Sequence, residues 1–173
     1  MARAVISTIG RDRPGLVNEL SEAVFSCGAS IEDSRMTVLG GEFAVLMSVV
    51  GDQTALEVLN DQLTALADSG EVAYLFRTTS DREPSRYLPY QVRVVAMDHP
   101  GIVHGIAGFF SSRNINIRDL ETETERAPHT GTPIFNLHLT VEVPESLRVA
   151  QLRNEFADFC EQRDLDGSLS ASR

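Results

Sequence analysis

The sequence predicts an α+β protein of two consecutive βαββαβ units, each an antiparallel four-stranded sheet with both helices on one face. Three observations point there. A junction occurs twice, as Asp12-Arg13-Pro14-Gly15-Leu16-Val17 and as Asp98-His99-Pro100-Gly101-Ile102-Val103. Around it residues match at an offset of 86, which carries Ser26 to Ser112, Ile31 to Ile117 and Asp33 to Asp119. Further along the offset becomes 93, which places Leu46 on Leu139, Val50 on Val143, Leu59 on Leu152 and Leu63 on Phe156. One insertion of about seven residues between Glu125 and Pro133 accounts for the change, and self-similarity of this length marks a duplicated structural unit.

Each element has its own reason. Ala4 to Ile9 is a short β-branched run closed by Gly10 and reads as a buried strand. Pro14 suits the first turn of a helix, where a missing N–H costs nothing. Leu16, Val17, Leu20, Ala23, Val24 and Cys27 then form one helical stripe, ended by Gly28. Ala29 to Leu39 and Glu42 to Val50 read as strands joined by a tight turn at Gly40-Gly41. Leu56, Leu59, Leu63, Leu66 and Ala67 make a second stripe, closed by Ser69-Gly70, and Val72 to Phe76 is a fourth strand. In the strand from Glu42, both Phe43-Val45-Met47-Val49 and Ala44-Leu46-Ser48-Val50 are largely apolar, and a sheet greasy on both sides asks for a partner.

The polar stretch Thr78 to Tyr87, with Pro84 at its centre, marks a boundary. It gives a first unit at 1–79, a linker at 80–87 and a second unit at 88–173. In the second unit Tyr90, Val92, Val94 and Ala96 alternate on a strand, and Ile102, Val103, Ile106, Phe109 and Phe110 line a helix ended by Asn114. Ile115 to Thr124 and Ile134 to Val143 are strands around the enlarged loop. Glu145 to Gln162 is a helix, and the polar run Leu165 to Ala171 is an edge strand.

Composition narrows function. The net charge is −10, and both units share it: 1–79 carries five Arg against eleven acids, 88–173 eight Arg against twelve. Neither offers the basic field that displaces counterions from a phosphate backbone, so direct nucleic-acid binding is not expected. No apolar run approaches the ~20 residues that span a bilayer, nor is a membrane partner expected. The opening residues enter a strand pattern at once, which places the expected location in the cytoplasm. Cys27 and Cys160 fit that compartment as small buried hydrophobes rather than a disulfide.

The repeated junction suggests a ligand. The first N–H groups of a helix lack intrahelical acceptors, and the helix dipole adds partial positive charge there. A carboxylate can accept those bonds. Gly15 and Gly101 allow close approach to the backbone, while Asp12 and Asp98 supply an anion for an ammonium group. Together they match the two charged ends of an α-amino acid. The same residues also serve as plain turn chemistry, with Asp bonding local backbone.

The pattern Asp-x-Pro-Gly-[Leu/Ile]-Val, then a helix, then Ala29-Ser30-Ile31-Glu32 or Ile115-Asn116-Ile117-Arg118, resembles the ACT domain. The resemblance spans 1–77 and 88–171. It implies small regulatory modules that bind amino acids, often between two ACT units. Two such units with a longer loop at Thr124–Pro133 resemble the glycine cleavage system transcriptional repressor group. By position, the family's ligand contacts fall on Asp12, Pro14, Gly15, Leu16 and Ser30 in the first unit. In the second they fall on Asp98, Pro100, Gly101, Ile102 and Asn116, with His99 alongside. Ser30 against Asn116 and Arg13 against His99 set the two sites apart. The resemblance implies an amino-acid sensor without catalysis, cofactor or metal, with glycine as the ligand. It would act on a regulatory protein partner, as a homodimer or higher homo-oligomer. A detached regulatory subunit of an amino-acid metabolic enzyme is the alternative.

Other groupings are weaker. His99 and His104 do not share a helical face, His129 sits in a loop, and His138 stands on a strand. Glu121, Glu123 and Glu125 share one strand face and read as a solvated edge. No Gly-x-Ser-x-Gly elbow, Walker loop or dinucleotide fingerprint occurs.

Overall fold

The computed structural model describes residues 1–80 and 86–171. The chain divides into two compact units, Met1–Glu83 and Pro84–Arg173. The middle of the linker read from the sequence, Pro84 included, lies outside the described residues.

In the first unit β1 (Ala2–Arg11), α1 (Leu16–Ser26), β2 (Ser30–Leu39), β3 (Glu42–Gly51), α2 (Gln53–Asp68) and β4 (Val72–Thr79) come in order. In the second, β5 (Tyr87–Met97), α3 (Ile102–Ser111), β6 (Asn116–Arg126), β7 (Pro133–Pro144), α4 (Val149–Glu161) and β8 (Asp166–Ala171) repeat them. The sheets are antiparallel with strand orders β2-β3-β1-β4 and β6-β7-β5-β8. The expected βαββαβ order and the edge position of β8 are both present.

One face of each sheet buries the helices. Leu16, Leu20 and Val24 of α1 and Leu56, Leu59 and Leu63 of α2 share a core with Ile6, Phe43, Met47 and Val49. The second core replaces many aliphatic chains with rings: Phe109, Phe110 and Phe156 pack with centroids 5.1–5.5 Å apart. The turn glycines of the first unit act where expected. Gly40 and Gly41 both take positive φ, 61° and 86°, as a two-residue hairpin turn requires. Gly28 ends α1 at φ 75°, with Ala29 N–H donating to Val24 O (3.1 Å) and its own N–H to Phe25 O (3.0 Å). Asn114 does the same at φ 55°, with Ile115 N–H donating to Phe110 O and its own to Ser111 O.

Several expectations need correction. Pro14 and Pro100 precede their helices in a turn, and glycine rather than proline stands at the helix start. Val17 and Val103 lie on the outer face, 51% and 37% exposed. Cys160 is buried but Cys27 only half so, and both are free thiols. β4 runs on to Thr79 and β5 begins at Tyr87, so the ends of the polar boundary stretch are strand. Helix α4 starts at Val149, after a turn over 145–148 that Pro144 introduces.

The register corrects the repeat itself. β1 and β5 correspond at offset 86; Ile6 pairs with Met47 and Val92 with Leu139. That sets β3 on β7 at offset 92, while α2 on α4 keeps 93. Six of the added residues therefore sit in the β6–β7 hairpin, and the seventh between β7 and α4. Leu46 corresponds to His138 and Val50 to Glu142, not to Leu139 and Val143. A one-residue slip swaps the faces of a strand, and Leu46 is indeed 50% exposed where Leu139 is 3%. The outer face is the more apolar in the first unit, where Ile9, Leu46 and Leu75 face outward, against Val95 and Met97 of β5 in the second. At the matching face of β7 stand Asn136, His138, Thr140 and Glu142.

Candidate functional site

Gly15 and Gly101 stand at the start of α1 and α3 with nearly identical backbones, φ 92°, ψ −13° and φ 98°, ψ −3°. These left-handed angles suit glycine alone, which explains the residue at both junctions. Neither helix has a side-chain cap, so no side chain takes the first N–H groups of either, although Leu16 N–H of α1 donates to Arg13 O at 3.5 Å. Asp12 and Asp98 are exposed beside them, each tied by its backbone N–H to the adjoining hairpin, at Gly41 O (3.2 Å) and Pro133 O (3.1 Å). Leu16 and Ile102 are 1% and 4% exposed: their side chains anchor the helix in the core, and only their backbone can meet a ligand.

The side chains around this shared backbone differ. In the first unit Arg13 donates from Nη1 to Glu19 Oε1 (2.6 Å) and from Nη2 to Glu19 Oε2 (2.7 Å) and Glu71 Oε2 (2.6 Å). Those hydrogen bonds hold the Glu19 carboxyl below its ordinary value, and the two carboxylates raise the Arg13 guanidinium. Glu19 Oε1 lies 3.8 Å from where a β-carbon on Gly15 would stand. The first helix start therefore already has a carboxylate of the protein's own beside it. In the second unit His99 replaces Arg13 and Gly105 replaces Glu19. His99 Nδ1 reaches only the neighbouring Pro100 O, at 3.1 Å, and open space surrounds the β-position of Gly101.

Ser30 and Asn116 are not near either junction of their own unit. Ser30 aligns with Val50 and Arg3, and Asn116 with Glu142 and Pro89. The junctions come after Arg11 and Met97, eight residues along the same strands and roughly 26 Å away at strand rise. β1 and β2 run parallel, so the end of one and the start of the other lie at opposite ends of the sheet. Sequence reasoning also missed Glu142, which is 7% exposed and accepts from Asn116 Nδ2 at 2.9 Å. The signal was a carboxylate within the apolar run Leu139-Thr140-Val141-Glu142-Val143. Among the described residues no three His, Cys, Asp or Glu side chains gather as a metal site, and the four histidines are dispersed. No helix among them is long and apolar enough to cross a membrane.

Family models for the ACT domain match residues 2–76 and 90–161. The glycine cleavage system transcriptional repressor of Escherichia coli (strain K12) is 29% identical over 167 residues, covering 96% of this chain and 88% of the relative. A solved structure of a candidate glycine cleavage system transcriptional repressor superposes with TM-score 0.76 at 26% identity, over 99% of this chain and 98% of that one. An unknown protein from Galdieria sulphuraria superposes with TM-score 0.82 at 27% identity, over 99% of both chains.

Proposed function

This chain belongs to the ACT-domain proteins, two of whose domains it carries in tandem, and on that premise we propose that it is a cytoplasmic amino-acid sensor without catalytic activity. It binds a small amino acid at the second junction and signals by contact with a regulatory protein. The observation that carries this reading is the contrast at the helix starts. Gly101, Asp98 and the uncapped amides of α3 stand open, whereas Arg13, Glu19 and Glu71 close over the start of α1. A ligand carboxylate would accept from the amides of α3, and its ammonium would meet Asp98. The open space at Gly101 favours a ligand with little or no side chain, and glycine comes first because of what the Escherichia coli relative is called. An acidic chain with net charge −10 favours a protein as the receiver of the signal over nucleic acid.

Calorimetry of the full chain against each amino acid tests the reading. We expect saturable heat with glycine or another small amino acid, near one equivalent per chain. Asp98→Asn should weaken that binding about tenfold, as a charge-assisted hydrogen bond is lost, while Asp12→Asn should leave it unchanged. Absence of saturable heat with any amino acid would sink it.

A further inference from the structure

The enlarged hairpin between β6 and β7 stands beside the second junction. Asp98 N–H donates to Pro133 O at 3.1 Å, so the end of β5 is level with the first residue of β7. Pro133 in turn pairs with Arg126, the last residue of β6. Asp98 and Arg126 are therefore level with each other on either side of β7, two strand spacings or roughly 10 Å apart. Arg126 stands on the helix face, because it is opposite Pro133 and in phase with the buried Phe135 and Leu137. Helix α3 begins on that face, directly after Asp98, and packs against β6. Its open start at Gly101 thus shares one end of one sheet face with an anion and a cation.

The protein itself neutralises neither charge. Every ion pair among the described residues lies elsewhere. Arg126 uses one N–H, from Nη1 to Gly131 O at 3.2 Å, of the five that a guanidinium carries in its planar fork. That bond joins Ala127 N–H to Thr132 O (2.9 Å) and Gly131 N–H to Ala127 O (2.8 Å) in fixing the hairpin, and it keeps the guanidinium at the base. In the first unit the matching positions are Gly40 and Gly41, which have no side chains, and the nearby Arg13 is held by Glu19 and Glu71.

We infer that Arg126 is a ligand-binding residue of the second junction, which takes the carboxylate of an amino acid whose ammonium group meets Asp98. This role rests on the sensor reading and deepens it by naming the residue that selects for a free carboxylate. The gap between the two positions is one that a short Asp and a long Arg side chain can close around a compact zwitterion. Amides at a helix start accept a neutral carbonyl as well as a carboxylate. A guanidinium discriminates, because its charge-assisted, two-pronged hydrogen bonds favour the ionised group. The ligand class is then a free α-amino acid, and an amidated or peptide-linked one is rejected.

Calorimetry of the full chain with glycine and alanine, each beside its amide, tests the role. Glycinamide and alaninamide keep the ammonium group and lack the carboxylate. The native chain should bind the free acid at least tenfold tighter than its amide. Arg126→Gln should weaken the acid roughly tenfold and leave the amide unchanged, so that the preference largely disappears. Arg126→Lys should recover part of the loss, since the charge returns without the fork. Arg126 is exposed, so circular dichroism should report an unchanged fold. An Arg126→Gln chain that binds the acid as the native chain does would overturn the role and leave the sensor reading standing. Equal weakening of acid and amide would make Arg126 a support of the hairpin alone, which overturns it too. A native chain that binds neither glycine nor alanine would overturn it outright, and one that binds no amino acid would take the sensor reading with it.

Discussion

Gly15 and Gly101 hold the same left-handed turn, yet Arg13 ties the first to Glu19 and Glu71 while His99 extends no further than an adjacent carbonyl. Duplication preserved the backbone, because a left-handed N-terminal residue has few solutions other than glycine. It did not preserve the side chains that decide whether the helix start is available. The cores diverged in the same way. Leu63 and Phe156 occupy equivalent turns of α2 and α4, and the second is surrounded by Phe109, Phe110 and Phe159. A conserved frame thus carries two different fillings, one aliphatic with an ionic latch, one aromatic with an open junction.

The largest effect should come from breaking those fillings. Phe156→Ala should cost its unit about 4 kcal/mol, and Leu63→Ala about 3 kcal/mol in the other, since the ring leaves the larger void. Amide hydrogen exchange, read separately in β7 and β3, reports each unit's loss. Equal losses, or a loss shared by both strands, would contradict the picture of two differently filled cores.

Next in size is a difference at the sheet. Gly10 pairs with Val72, and a β-carbon there would lie 2.6 Å from Glu71 O and 2.8 Å from Val72 Cγ1. Its counterpart Ala96 already carries a β-carbon at a place where β8, which begins one residue later, pairs only as far as Val95. Gly10→Ala should therefore destabilise by about 2 kcal/mol through overpacking, and the reverse change Ala96→Gly by about 1 kcal/mol through chain entropy. Urea midpoints of the two variants check the order, which fails if Gly10→Ala is neutral.

These contrasts also mark what the residues made legible. The hairpin at Gly40-Gly41 and the helix ends at Gly28 and Asn114 were readable because positive φ narrows the choice of residue. The register of β3 against β7 was not. With Ala44, Leu46 and Val50 on its outer face, β3 reads as apolar in either phase, and only pairing with β1 distinguishes them. The start of α4 was misread because Glu145 to Arg148 looks helical in composition, while Pro144 and the turn after it delay the helix to Val149. The separation of Ser30 from Gly15 comes from strand order, since β1 and β2 run parallel with β3 between them. The latch lay beyond reading: Arg13 and Glu19 are neighbours on the chain, but Glu71 arrives from 58 residues away at the start of β4.

The smallest effect is the most specific to the latch. Arg13 holds the Glu19 carboxyl below its ordinary value, so the folded chain binds that proton less readily than the unfolded one. The stabilisation is fully present above the ordinary carboxyl value of 4.5 and is lost as pH falls through the lowered folded value. Arg13 keeps its charge throughout, because Glu19 and Glu71 raise it further. The groups are solvent-exposed, so the contribution is modest and salt-sensitive. Glu19→Gln should lower stability slightly at neutral pH, and its difference from the native chain should shrink as pH falls through the lowered folded value of Glu19. Carboxyl carbon shifts should show Glu19 titrating below 4.5 in the native chain and returning toward that value in Arg13→Met. A Glu19 that titrates at the same pH with and without the guanidinium would mean the first junction is as open as the second. The contrast between the two halves would then rest on their cores alone.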